Sequence, residues 1–168
     1  MALAQSCLEA ARITDRERGI TVNVGTISGG VHPNVVPDLA QASLDVRFRT
    51  AEEGERAASA IESLASADPM VSLDIAREGF YPPMERTEGV ARLFRIAAEA
   101  AREMGLPLSE RATGGASEAS FAAAMGLPTL DGLGPDGSGE HAVDEHVLIS
   151  SLPERAALAA VLLERVSE

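Results

Sequence analysis

Apolar and polar positions alternate most regularly at residues 42–49, where Ala42, Leu44, Val46 and Phe48 fall on one side and Ser43, Asp45, Arg47 and Arg49 on the other. A repeat of two predicts a half-buried strand with one solvated face. Ile20, Val22 and Val24, separated by Thr21 and Asn23, predict another strand, and Val71, Leu73 and Ile75 a third. Residues 2–12 have helical composition, and a helix over 51–65 would carry Ala58, Ile61 and Leu64 as its apolar stripe. The order helix, strand, strand, helix, strand is that of a split βαβ sandwich without its opening strand. The chain is therefore expected to start inside a domain.

Paired prolines resist both helix and central strand, so Glu78-Gly79-Phe80-Tyr81-Pro82-Pro83-Met84 reads as a linker. Beyond it the pattern changes. Thr87 can cap a helix carrying Val90, Phe94, Ala97 and Ala101 on one side, which Gly105 and Pro107 would end. Short strands are predicted at 108–112 and 128–130, a helix from Ser117 to Met125, and a last helix from Ser150 or Ser151 to Val166. Helices alternating with short apolar strands predict an α/β arrangement around a parallel sheet.

Composition narrows the function. An apolar content of 45% over 168 residues supports one or two small globular domains. The longest apolar run, 156–163, is far short of the roughly 20 residues of a membrane span, and no basic leader opens the chain, so a cytoplasmic protein is expected. All 14 basic residues are arginine against 26 acidic ones, a net charge of −12. A phosphate loop of the Walker type lacks its lysine, and a nucleic-acid surface lacks its basic stripe. The single Cys7, beside Leu8 on the first helix, reads as a small core residue.

Candidate chemistry gathers in the second half. Gly114-Gly115-Ala116-Ser117 lies where a strand would turn into a helix, so its N–H groups could hold a carboxylate or oxyanion, although such turns also serve as plain connections. His141 follows Gly137-Ser138-Gly139-Glu140, small residues that would admit a metal or substrate; a lone loop histidine is otherwise a surface residue. His146 reads as surface or supporting, and His32 as a loop residue. Ser117, Asp131 and His141 occur in the chain order of an α/β-hydrolase triad, but Ala119 stands where the nucleophile elbow wants glycine. Gly132-Leu133-Gly134-Pro135-Asp136-Gly137 is a literal dinucleotide motif, excluded because Pro135 and Asp136 interrupt the turn and no helix opens there.

Taken together, several stretches resemble one family. They are Thr21-Val22-Asn23-Val24-Gly25 with Gly29-Gly30 and Pro33-Asn34-Val35-Val36-Pro37; Leu44-Asp45-Val46-Arg47; Pro82-Pro83-Met84-Glu85-Arg86-Thr87; Gly114 to Ser117; and Gly126 to Pro135 leading to His141. From about Ile20 to its end the chain resembles the C-terminal part of the zinc-dependent amidohydrolases that include glutamate carboxypeptidase, peptidase T, acetylornithine deacetylase and succinyl-diaminopimelate desuccinylase. The glutamate carboxypeptidase branch is most similar.

The resemblance implies an α/β chain in two parts: residues 1–81 as an incomplete ferredoxin-like lid and dimerisation domain, an α+β sandwich lacking its first strand, and 82–168 as the C-terminal half of the catalytic domain. It implies His141 as the last ligand of a site for one or two zinc ions, and Asn34 as a lid residue reaching substrate, often in the partner subunit. Gly114, Gly115, Ala116 and Ser117 would hold the carboxylate of a small peptide or N-acyl amino acid. The His-x-Asp motif, bridging aspartate and Glu-Glu pair of the family have no counterpart here, so no catalytic residue is assigned and the chain alone is expected to be inactive. Glu118, Ser120 and Tyr81 stand where aspartate, asparagine and arginine are common. A non-catalytic dimerisation module is the alternative.

Overall fold

The alternating residues of the first half form an antiparallel pair in the computed structural model, which describes residues 1–167. β1 (Thr21–Gly29) pairs with β2 (Ala40–Arg47), setting Val22 opposite Val46 and Val24 opposite Leu44. Gly25 has no partner, and pairing resumes with Thr26 opposite Ser43 and Ile27 opposite Ala42. The extra residue is a β-bulge. It shifts β1 by one position, which brings Ile27 onto the face of Val22, Val24, Ala42, Leu44 and Val46. Asn23, Thr26 and Ser28 share the other face with Gln41, Ser43 and Asp45.

Helix α1 (Ala2–Ala11) and helix α2 (Ala51–Glu62) complete this unit. Ala10, Ile20, Val22, Ala57 and Ile61 are buried together, with Ile13, Val46, Leu64 and Ile75 packed against them. Cys7 is buried as well. The Thr50 hydroxyl caps α2 by accepting the Glu53 N–H at 3.3 Å. The buried side of α2 is Gly54, Ala57 and Ile61, so Ala57 takes the core place expected of Ala58, which is only half-buried. The ring of Phe48, stacked on Phe80, dictates a glycine at 54: a Cβ there would lie 2.7 Å from it.

The third expected strand forms no ladder. Its burial alternation persists, with Leu73 and Ile75 half-buried and Ser72 and Asp74 exposed. Ile75 reaches the core, and Arg77 binds Glu55 at 2.9 Å and Glu62 at 2.6 Å on α2. Alternation reports which face packs, whereas a strand also needs a neighbour to take its N–H and C=O groups.

At Pro83 and Met84 one compact unit gives way to a second. This contains α3 (Glu88–Glu103), α4 (Ala119–Ala124), β3 (Gly137–Ser138), β4 (His146–Val147) and α5 (Ser151–Ser167). Thr87 caps α3 by accepting the Val90 N–H at 3.3 Å. The core joins α3 to α5 through Ala97, Ala100, Ala101, Leu158 and Leu162. Val90 and Phe94 sit at its half-buried margin.

Met104-Gly105-Leu106-Pro107 and Met125-Gly126-Leu127-Pro128 end α3 and α4 in the same way. Each glycine has a positive φ, 71° and 86°. Each following leucine donates its N–H back into the last turn, Leu106 to Ala101 at 2.8 Å and Leu127 to Ala122 at 3.2 Å. This double backward bonding satisfies carbonyls that a helix end leaves open.

The expected strands at 108–112 and 128–130 are irregular, although Leu106, Leu108, Leu130 and Leu133 pack on the helical core. The expected parallel sheet is therefore not formed: both ladders among the described residues are antiparallel. These leucines pack on the core without a ladder partner among the described residues. Among the described residues no helix is long and apolar enough to cross a membrane.

Candidate metal and substrate site

His141 lies in the loop of a short hairpin. Gly137 pairs with Val147 and Ser138 with His146, and residues 139–145 form the tip. A Cβ at Gly137 would collide with the His146 carbonyl, so the two strands approach this closely only with glycine there. Gly139 has φ 79°, and His141 is the one non-glycine among the described residues with a positive φ, 65°. Left-handed backbone costs an L-residue about 1–2 kcal/mol. It persists where surrounding bonds over-determine it. Here the Glu145 carboxylate accepts the His141 N–H at 3.3 Å, while the Gly139 carbonyl accepts that of Ala142 at 2.8 Å.

The His141 imidazole is exposed and makes no hydrogen bond to any described residue, which suits a metal ligand awaiting other donors. His146 is engaged differently. Its Nδ1 lies 2.9 Å from the Asp144 carbonyl, and a carbonyl only accepts, so Nδ1 carries a proton; Nε2 is 3.4 Å from the Ser138 hydroxyl. His146 thus closes the hairpin.

A catalytic zinc takes three protein ligands. Among the described residues no three His, Cys, Asp or Glu side chains come together in a way that could hold a metal ion. The described residues therefore assemble no complete metal cage.

The Gly114 to Ser117 turn is exposed apart from half-buried Ser117. The Gly115 N–H is used internally, donating to the Thr113 hydroxyl at 3.3 Å, and the Ser117 hydroxyl accepts the Ala119 N–H at 3.2 Å. The following helix starts at Ala119, two residues later than expected, and spans only six residues. Ser117, Asp131 and His141 share no hydrogen bond among the described residues, so no serine triad is assembled. Asn34 belongs to the first unit, in the exposed connection between β1 and β2, where the His32 carbonyl accepts the Val35 N–H at 3.2 Å. His32 is exposed in the same turn. An open apolar depression of about 290 Å³, lined by Leu93, Leu130, Leu133, Leu162 and Leu163 among others, contains none of the candidate residues.

Sequence reasoning missed what fastens the His141 loop. Asp136, dismissed as an interruption of a nucleotide motif, bonds to Ser151 and Arg155 at the start of α5. The one available signal was the serine opening the last helix, which reads only as a helix start.

Comparison with known proteins gives this geometry a lineage. The chain is 30% identical over 161 residues to carboxypeptidase G2 of Pseudomonas sp. (strain RS-16), covering 93% of this chain and 39% of that protein. It is 32% identical over 136 residues to succinyl-diaminopimelate desuccinylase of Xanthomonas euvesicatoria pv. vesicatoria (strain 85-10), covering 79% and 35%. The chain thus spans less than half the length of these relatives. Its fold is similar to the crystal structure of aminopeptidase PepT from Bacillus cereus ATCC 10987, with a TM-score of 0.78 at 22% identity over 99% of this chain and 46% of that one. The family described as Peptidase family M20/M25/M40 matches residues 6–165, and the chain belongs to it.

Proposed function

We propose that this chain is part of a zinc-dependent metallopeptidase or amidohydrolase, similar to glutamate carboxypeptidase, that cleaves an amide bond beside a free carboxylate. Family membership over residues 6–165 carries the reading. One relative is named a carboxypeptidase and the other removes a succinyl group, and both names describe hydrolysis at acyl–nitrogen bonds. The exposed, hydrogen-bond-free imidazole of His141 supports its role as one metal ligand, with the other donors and the general base supplied from outside these residues. Zinc would contribute an activated water when bound. The turn Gly114, Gly115, Ala116 and Ser117 would meet the substrate's carboxylate, with the Gly115 N–H exchanging its Thr113 partner for the anion. Asn34 would polarise the scissile carbonyl.

In this reading the first unit is the lid and the second the rear half of a catalytic domain. A homodimer through the lid is favoured by apolar side chains exposed on the β1–β2 arm, Ile27 on β1 and Val31, Val36 and Leu39 in the connection that follows it. Zinc titration tests the half-site. The 168-residue chain should bind weakly, with His141 the residue perturbed, and tight stoichiometric binding would overturn the proposal. In an intact enzyme carrying this chain, His141→Ala should lower hydrolysis of N-acyl amino acids by about a hundredfold or more, beyond the loss usual for residues behind a metal ligand. A sedimentation measurement checks the lid: Ile27→Glu should shift a dimer to monomer.

A further inference from the structure

One residue fastens both ends of the His141 loop. The Asp136 N–H donates to the Ser151 hydroxyl at 2.9 Å, and its carbonyl accepts the Leu148 N–H at 2.7 Å. Its carboxylate accepts from the Arg155 guanidinium at 2.5 Å. The Ser151 hydroxyl in turn donates to the Leu148 carbonyl at 2.7 Å. Asp136 enters the hairpin and Leu148 leaves it, so the two chain ends are tied to each other and to the first turn of α5.

The anchor is firm on the helix side. Ser151 is buried and the Arg155 side chain is 16% exposed, one turn further along α5. Leu158, fully buried in the α3–α5 core, follows one turn later still. The hairpin itself is short and exposed, with two residue pairs, and could not hold a left-handed histidine unaided. Its geometry has to be imported.

We propose that Ser151 and Arg155, acting through Asp136, are positioning residues for His141: they transmit the rigidity of the helical core to the loop and fix the direction in which the imidazole is offered. Glu145 completes the device at the tip by holding the His141 N–H. The proposal rests on the reading of His141 as a ligand for its purpose, and on the bonding alone for its existence. A ligand held in advance loses little freedom when the metal arrives, which is how supporting residues raise affinity without touching the ion.

The test uses the whole chain with nuclear magnetic resonance. In Ser151→Ala and Arg155→Gln, the one-bond Cα–Hα coupling constant of His141, which a positive φ lowers, should relax from its left-handed value toward the random-coil average. Exchange of the Asp136 and Leu148 amides should speed up by about tenfold, the loss expected for one net hydrogen bond. Amides within α3 and the rest of α5 should keep their protection, and Ser151→Thr, which retains the hydroxyl, should restore the His141 coupling. An unchanged His141 coupling in both Ser151→Ala and Arg155→Gln would overturn the proposal. Global loss of protection in Ser151→Ala leaves the decision to Arg155→Gln, whose site is nearer the surface.

A zinc titration followed at the His141 ring separates the two claims. Weaker binding in the variants than in the parent, with equal thermal midpoints, supports positioning. Equal binding overturns it while the ligand reading stands. A parent ring that ignores zinc overturns the ligand reading, and the coupling constants then decide positioning alone.

Discussion

The two units solve the same problem with different materials. The first joins a long antiparallel pair to two helices through branched and small residues, Ile20, Val22, Ala57 and Ile61. The second joins two helices through three alanines and two leucines, and hangs its loops on that seam. In the first unit chemistry is sparse and the ladder is long, interrupted once at Gly25; in the second the ladders are minimal and almost every candidate residue is exposed. A site built on loops depends on how those loops are fastened, so the few bonds that reach a helix matter more there than any strand.

Hollowing each core in turn should have the largest effect. Leu158→Ala should cost the second unit about 2–5 kcal/mol, and Ile61→Ala the first unit a similar amount. Residue-resolved amide exchange should show each loss confined to its own unit; joint melting would mean that the two cores are not independent. Next come the helix glycines. Alanine normally improves a helix interior by up to about 1 kcal/mol over glycine. A Cβ at Gly89 would lie 2.6 Å from the rigid ring of Pro128, and one at Gly54 would lie 2.7 Å from Phe48. Both substitutions should therefore destabilise, by about 1–3 kcal/mol for overpacking. Gly89→Ala should be the worse, since proline cannot swing aside, and denaturant midpoints would show it.

Gly139→Ala should cost about 1–2 kcal/mol for its positive φ. That effect should stay in the hairpin, visible as faster exchange of the Ala142 amide and an unchanged thermal midpoint. The smallest effect is on pH. In each unit a hydrogen bond from arginine holds a glutamate below the ordinary carboxylate range: Arg77 acts on Glu62, and Arg165 on Glu103. A depressed folded pKa contributes stability above the unfolded value of about 4.3, lost as pH falls through the folded one. Both pairs are exposed, so acid titration should reveal low midpoints with little change in melting, and salt should weaken them further.

Much of the first unit was legible because a period of two and a helical apolar stripe are local facts. The same period misled at residues 71–75, where packing is alternate but no partner strand lies beside the segment. In the second unit, Thr87 and the Met-Gly-Leu-Pro pair mark helix ends plainly. The strands expected at 108–112 and 128–130 failed because an apolar run says only that side chains are covered. Of the site, His141 could be singled out from its glycine-rich setting and from family likeness. The bonds among Asp136, Leu148, Ser151 and Arg155 could not, since they join positions separated by up to 19 residues and no short pattern records them.

The unpaired Gly25 also changes how the arm must be counted. Even-numbered positions of β1 carry the oily side before it and odd-numbered ones after it, so the strand has two phases joined by a single added step. Pairing β1 in unbroken alternation through Gly25, with no bulge there, would turn Ile27 over to the wet side. Any graft, alignment or engineered shortening of this hairpin that ignores the change of parity would produce a ribbon with its surfaces exchanged beyond the splice.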